Sequence, residues 1–189
     1  MKILVIEDNP LHIAGAKAQL KGHDLTVADS HEKGRVLLNK YHGFCPTYEQ
    51  IDFDVVLVDL MMPPSEAGLE RNLGFTESEM PMGIFLALMA ATRGAKYVAV
   101  VTDMNHHKHP ASAALDMFNR PFSVNGATVR LENYNVLGRF HMNDLSKRAS
   151  HEEERADCMR EEDQSQLVLV KKWARILESL LDPTSKDCE

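Results

Sequence analysis

Cysteine is scarce in this chain: Cys45, Cys158 and Cys188 lie scattered among 189 residues. An odd set with no regular spacing offers neither a disulfide framework nor a zinc site, and it suits a reducing cytoplasm. Positive charge is also short. Twenty-one Lys and Arg against 28 Asp and Glu leave a net charge of -7. That balance argues against direct nucleic-acid or membrane binding, which usually needs a basic patch. No apolar run is long enough to span a bilayer. A strand-like run starts at Lys2, which predicts no signal peptide. A glycine-rich phosphate loop is missing too, which disfavours a phosphohydrolase or nucleotide-binding enzyme. The remaining composition is ordinary for a soluble globular domain: 44% hydrophobic and 26% charged residues, enough for a sizeable core.

Three short apolar runs carry the functional signal. Lys2-Ile3-Leu4-Val5-Ile6 ends in Glu7-Asp8, Val55-Val56-Leu57-Val58 ends in Asp59, and Tyr97-Val98-Ala99-Val100-Val101 ends in Thr102-Asp103. Short β-branched runs bounded by polar residues read as buried parallel strands. Ligands of open parallel sheets sit just beyond the carboxyl ends of the strands. Glu7, Asp8, Asp59 and Thr102 are therefore expected to converge. Three carboxylates and a hydroxyl suit a hard cation such as Mg2+ beside a phosphoryl group.

Strand and helix signals alternate, which predicts an α/β sheet wound on both faces. Asn9-Pro10 opens a helix to about Leu20, with Pro10 suited to its first position. A strand comes next over Asp24–Ala28, then a helix over His31–Tyr41 capped by Ser30. The third strand is Phe53–Val58. Met61–Met80, with Pro63, Pro64, Gly68 and Gly74, reads as a long loop. A helix over Met82–Thr92 ends at Gly94. Strand four is Lys96–Val101, a short helix spans Pro110–Phe118, and Thr128–Glu132 is a fifth strand after Gly126-Ala127. A last helix over Ser165–Leu181 shows an apolar stripe of Leu169, Trp173, Ile176 and Leu180, read as core packing rather than a dimer face. The acidic runs after Ser150 read as solvated.

Ile6-Glu7-Asp8-Asn9, the stretch Asp54-Val-Val-Leu-Val-Asp59-Leu-Met-Met-Pro63, and Val100-Val101-Thr102 together resemble the receiver domain of bacterial response regulators. The resemblance covers most of the chain in element order. It implies one receiver-like domain over 1–189 with segments inserted at about 63–81 and 135–164. The implied fold is flavodoxin-like, a doubly wound parallel sheet of five strands in the order 2-1-3-4-5. It also implies that Asp59 takes a phosphoryl group from a sensor histidine kinase or phosphotransfer protein. Glu7, Asp8, Asp59 and the backbone carbonyl of Met61 would hold Mg2+, and Thr102 would hydrogen-bond the phosphoryl oxygens. Such a chain is a signalling domain and not an enzyme, self-dephosphorylation aside. Output would pass through contacts with a downstream protein, because the chain beyond strand five is too short and acidic for a DNA-binding module.

The family carries a lysine after strand five, often followed by Pro-Phe. Asn119-Arg120-Pro121-Phe122 mimics that string, with Arg120 as a substitute. If strand five is instead Ala127–Glu132, as the alternation of Val129 and Leu131 favours, the position falls near Asn133. Neither is a lysine, and Asp103 stands where the family usually has a small residue. Both departures favour the alternative of a pseudo-receiver, an interaction module that takes no phosphate. Asn105-His106-His107-Lys108-His109 is an unusual string. It reads as a solvated loop over the site rather than a metal centre, because no Cys, Asp or Glu stands at a familiar ligand spacing.

Overall fold

The computed structural model describes residues 1–39, 50–64, 79–118, 120–133, 137–142 and 167–182. Eight strands and five helices lie among them. In chain order they are β1 (Lys2–Ile6), α1 (Pro10–Gln19), β2 (Asp24–Ala28), α2 (His31–Leu38), β3 (Val55–Asp59) and α3 (Gly83–Thr92). Then come β4 (Tyr97–Val101), α4 (Pro110–Leu115), β5 (Phe122–Val124), β6 (Ala127–Glu132), β7 (Leu137–His141), β8 (Leu167–Lys171) and α5 (Trp173–Leu181).

Six strands form one sheet in the order β2-β1-β3-β4-β6-β5. Every pairing is parallel except the last, where β5 runs antiparallel to β6. The α/β class and the parallel core agree with the sequence, but an all-parallel sheet of five strands does not. Asn125-Gly126 is the reason. Both residues have positive φ, 51° and 84°, and Val124 pairs with Ala127 across them. A two-residue turn of that kind matches the twist of antiparallel strands and folds the chain straight back on itself.

Residues alternate along the central strands, and the two faces bury separate cores. Leu4, Ile6, Val56, Val58, Val98 and Val100 pack with Leu38, Leu86, Ala90 and Leu115, under α2, α3 and α4. Ile3, Val5, Val55, Leu57, Ala99 and Val101 pack with Ala16, Leu20, Trp173, Ile176 and Leu180, under α1 and α5. The layers are thus helix, sheet, helix. Among the described residues no helix is long and apolar enough to cross a membrane.

Local chemistry explains most element ends. Asn9 Oδ1 accepts the Leu11 N–H at 2.9 Å, and Ser30 Oγ accepts the Lys33 N–H at 3.3 Å. Both are side-chain N-caps, which satisfy donors that a helix start leaves open. α2 stops at Leu38, short of Tyr41, and α4 stops at Leu115, short of Phe118.

The expected helix over Ser165–Leu181 needs the largest correction. Leu167–Lys171 is a strand that pairs antiparallel with β7 in a second, two-stranded sheet, and only Trp173–Leu181 is helical. Val168 and Val170 in alternation with leucines favour the extended backbone. Leu169, assigned to the helix stripe, is 48% exposed, whereas Trp173, Ile176 and Leu180 are buried. Most of both expected inserted segments, 65–78 and 143–164, lies outside the described residues, as do the three cysteines.

Candidate functional site

β1, β3 and β4 lie side by side in parallel register, so their carboxyl ends fall on one edge. That edge gathers Glu7, Asp8, Asp59 and Thr102, as the sequence predicts. Glu7, Asp59 and Thr102 are buried, and Asp8 is half-buried. One carboxylate oxygen from each of Glu7, Asp8 and Asp59 lies within 4.8 Å of the others. Met61 lies buried two residues beyond Asp59.

A cation completes the cluster. Lys171 Nζ donates to Glu7 Oε2 and to Asp59 Oδ1, each at 2.6 Å, and the lysine side chain is fully buried. It comes from the end of β8, far along the chain from both partners. Five contacts hold that end in place. Gln19 of α1 donates from Nε2 to the Lys171 carbonyl at 2.9 Å and accepts the Ala174 N–H at 3.3 Å, one of the donors the start of α5 leaves open. Trp173 Nε1 donates to the His12 carbonyl at 2.9 Å, and its ring centroid lies 5.6 Å from Lys171 Nζ. Gly15 lets α1 press against β8: a Cβ there would run into Val170 Cγ1.

Burial dominates the electrostatics. It pushes the Asp59 carboxyl up to about 7, with Lys171 pulling it down and Glu7 adding to the rise. Burial raises the Glu7 carboxyl as well, against the pull of Lys171. For Lys171 burial works against the charge, but Asp59 and Glu7 together outweigh it and hold its pKa above the ordinary lysine value. A proton on Asp59 near neutral pH therefore competes with the ammonium for the same carboxylate.

Neighbouring groups are also engaged. The Asn9 N–H donates to Glu7 Oε1 at 3.1 Å. Thr102 Oγ1 accepts the Met104 N–H at 3.1 Å, and the Thr102 N–H bonds the Glu132 carbonyl at 3.0 Å. Asp103 Oδ2 lies 3.2 Å from His12 Nε2, and that bond holds the Asp103 carboxyl below its usual range. His12 itself is buried.

The two candidate lysine substitutes sit elsewhere. Arg120 is exposed and precedes the edge strand β5, and Asn133 donates to Asp116 Oδ1. Sequence reasoning missed Lys171. Its signal is present: Leu167-Val168-Leu169-Val170 followed by Lys171 has the same form as the other strands that end in a charged residue. No family model, no curated protein and no solved structure matches this chain.

Proposed function

We propose that the chain is a stand-alone response-regulator receiver that accepts a phosphoryl group on Asp59 and signals through protein contacts. The observation that carries this reading is the Lys171 ammonium seated between Glu7 and Asp59 at adjacent strand ends. A nucleophilic carboxylate, an acidic pair, a hydroxyl and a lysine are residue types that the receiver resemblance implies, although Lys171 closes β8 and not the strand beside β4. The parallel core of the sheet is compatible with a flavodoxin-like fold. The donor would be a sensor histidine kinase or phosphotransfer protein in the cytoplasm.

Glu7, Asp8 and Asp59 fit Mg2+, because close-set carboxylate oxygens are the donors a hard divalent ion takes. Bound there, it would neutralise negative charge shared by the carboxylates and the phosphoryl group. The protein's own steps are these. An ionised Asp59 oxygen attacks phosphorus, the bond to the donor's imidazole nitrogen breaks, and its electron pair stays with the imidazole. Lys171 then exchanges its bond to Asp59 for one to a phosphoryl oxygen, which carries more charge. Thr102 Oγ1, already an acceptor from Met104, keeps its proton to donate to a second phosphoryl oxygen.

Incubation with a small-molecule phosphodonor and Mg2+, followed by intact mass and site mapping, tests this. One phosphoryl group should be gained on Asp59 and none by Asp59→Asn. The pseudo-receiver is the second reading, favoured by Asp103 beside the site and by the absence of a lysine at Arg120 and Asn133. Mg2+ binding without any mass gain would establish it in place of the first.

A further inference from the structure

We propose that His106 and His107, in the loop between β4 and α4, form a binding site for a divalent transition-metal ion. The site is separate from the acidic cluster and independent of the receiver reading. His106 Nε2 and His107 Nε2 lie 2.9 Å apart, with ring centroids 4.0 Å apart and planes inclined by 60°. An in-line N–H···N hydrogen bond of that length would place the centroids at roughly 5 Å, because such bonds prefer to be near linear. The shorter centroid separation shows that the two rings meet at an angle rather than end to end. With metal–nitrogen bonds of about 2.0–2.1 Å, a 2.9 Å separation corresponds to neighbouring ligands at about 90°. That angle belongs to the square or octahedral arrangements of Cu2+ and Ni2+.

The far side of the pair supports the same role. His106 Nδ1 lies 2.6 Å from Asp116 Oδ2, and Asn133 donates to the other oxygen, Oδ1, of that carboxylate. A carboxylate that accepts the Nδ1 proton leaves Nε2 with a lone pair, which here accepts the His107 Nε2 proton and which a metal would take, together with His107 Nε2, once His107 carries its proton on Nδ1. Metal-binding histidines are commonly backed in this way. His107 is exposed and His106 partly so, which gives an ion and its remaining water ligands access from solvent. Spacing rules on the sequence miss this arrangement, because Asp116 lies ten residues from His106, beyond the first turns of α4. The donor sets also sort the ions: oxygen alone at Glu7, Asp8 and Asp59, nitrogen at the histidine pair.

The full-length protein should be titrated with Cu2+ and with Ni2+ by calorimetry, and the Cu2+ form studied by electron paramagnetic resonance. Wild type should bind one ion more per chain than His106→Ala/His107→Ala, with nitrogen splitting from two imidazoles. Asp116→Asn should keep both ligands but bind roughly 10–100-fold more weakly. Circular dichroism melts should show all variants folded, since the histidines lie in a solvent-facing loop and Asp116 is exposed at the end of α4. Equal stoichiometry and affinity in the double variant would overturn the proposal. So would a wild-type protein that takes up neither ion, or an affinity untouched by Asp116→Asn.

Discussion

Lys171 neutralises two carboxylates in a place that water does not reach, so removing its charge is far more damaging than breaking a surface ion pair. Lys171→Met keeps much of the volume and removes the ammonium. It should destabilise the protein by about 3–5 kcal/mol at pH 8, read from urea unfolding. Millimolar Mg2+ should restore part of that loss, and so should a shift to pH 5, because each neutralises the stranded carboxylates. An equal loss under all three conditions would mean that Lys171 contributes packing alone. Asp59 gives a prediction of opposite sense. Its folded pKa of about 7 lies above the ordinary carboxyl value, so the folded state holds the proton more tightly than the unfolded state does. That stabilisation is complete below the ordinary value and is lost as pH rises through 7. Asp59→Asn should therefore gain on wild type as pH rises from about 4 to 8, by on the order of a few kcal/mol in chemical denaturation. A constant difference across that range would place the titration elsewhere. The acidic partners are legible from sequence because each directly succeeds an apolar run. Lys171 is not, because its run also fits a helix pattern.

At the scale of elements, misreadings gather where two periodicities overlap. Leu169, Trp173, Ile176 and Leu180 are spaced as a helix stripe, yet Leu167–Lys171 is extended, and only β-branching at Val168 and Val170 marks the change. Likewise Asn125-Gly126 is a strong hairpin signal, and reading only Gly126-Ala127 hides β5. The junction of β8 with α1 is open to test. Gly15→Ala would push a methyl group into Val170 and should cost about 1–3 kcal/mol, the usual range for overpacking. Val170→Ala in the same chain should recover most of that cost, which a double-mutant cycle would show. Phosphodonor reactivity of Gly15→Ala should fall along with stability, because the strand it displaces carries Lys171.

For the whole molecule, the topology is legible in its centre and not at its margins. β1, β3 and β4 run as near-continuous apolar segments because both faces are covered, and that pattern is unambiguous. The edge strand and the β7–β8 pair have less to bury and leave weaker traces. The acidic edge itself is assembled from partners remote in the chain. Lys171 is 112 residues from Asp59 and 164 from Glu7. On the ribosome, both carboxylates emerge long before the ammonium that meets them. The early chain can form the β1–β3 pair, but it must leave that edge hydrated or protonated until β8 arrives. Synthesis thus gives the acidic edge a built-in order: the carboxylates come first, and the charge that balances them comes last.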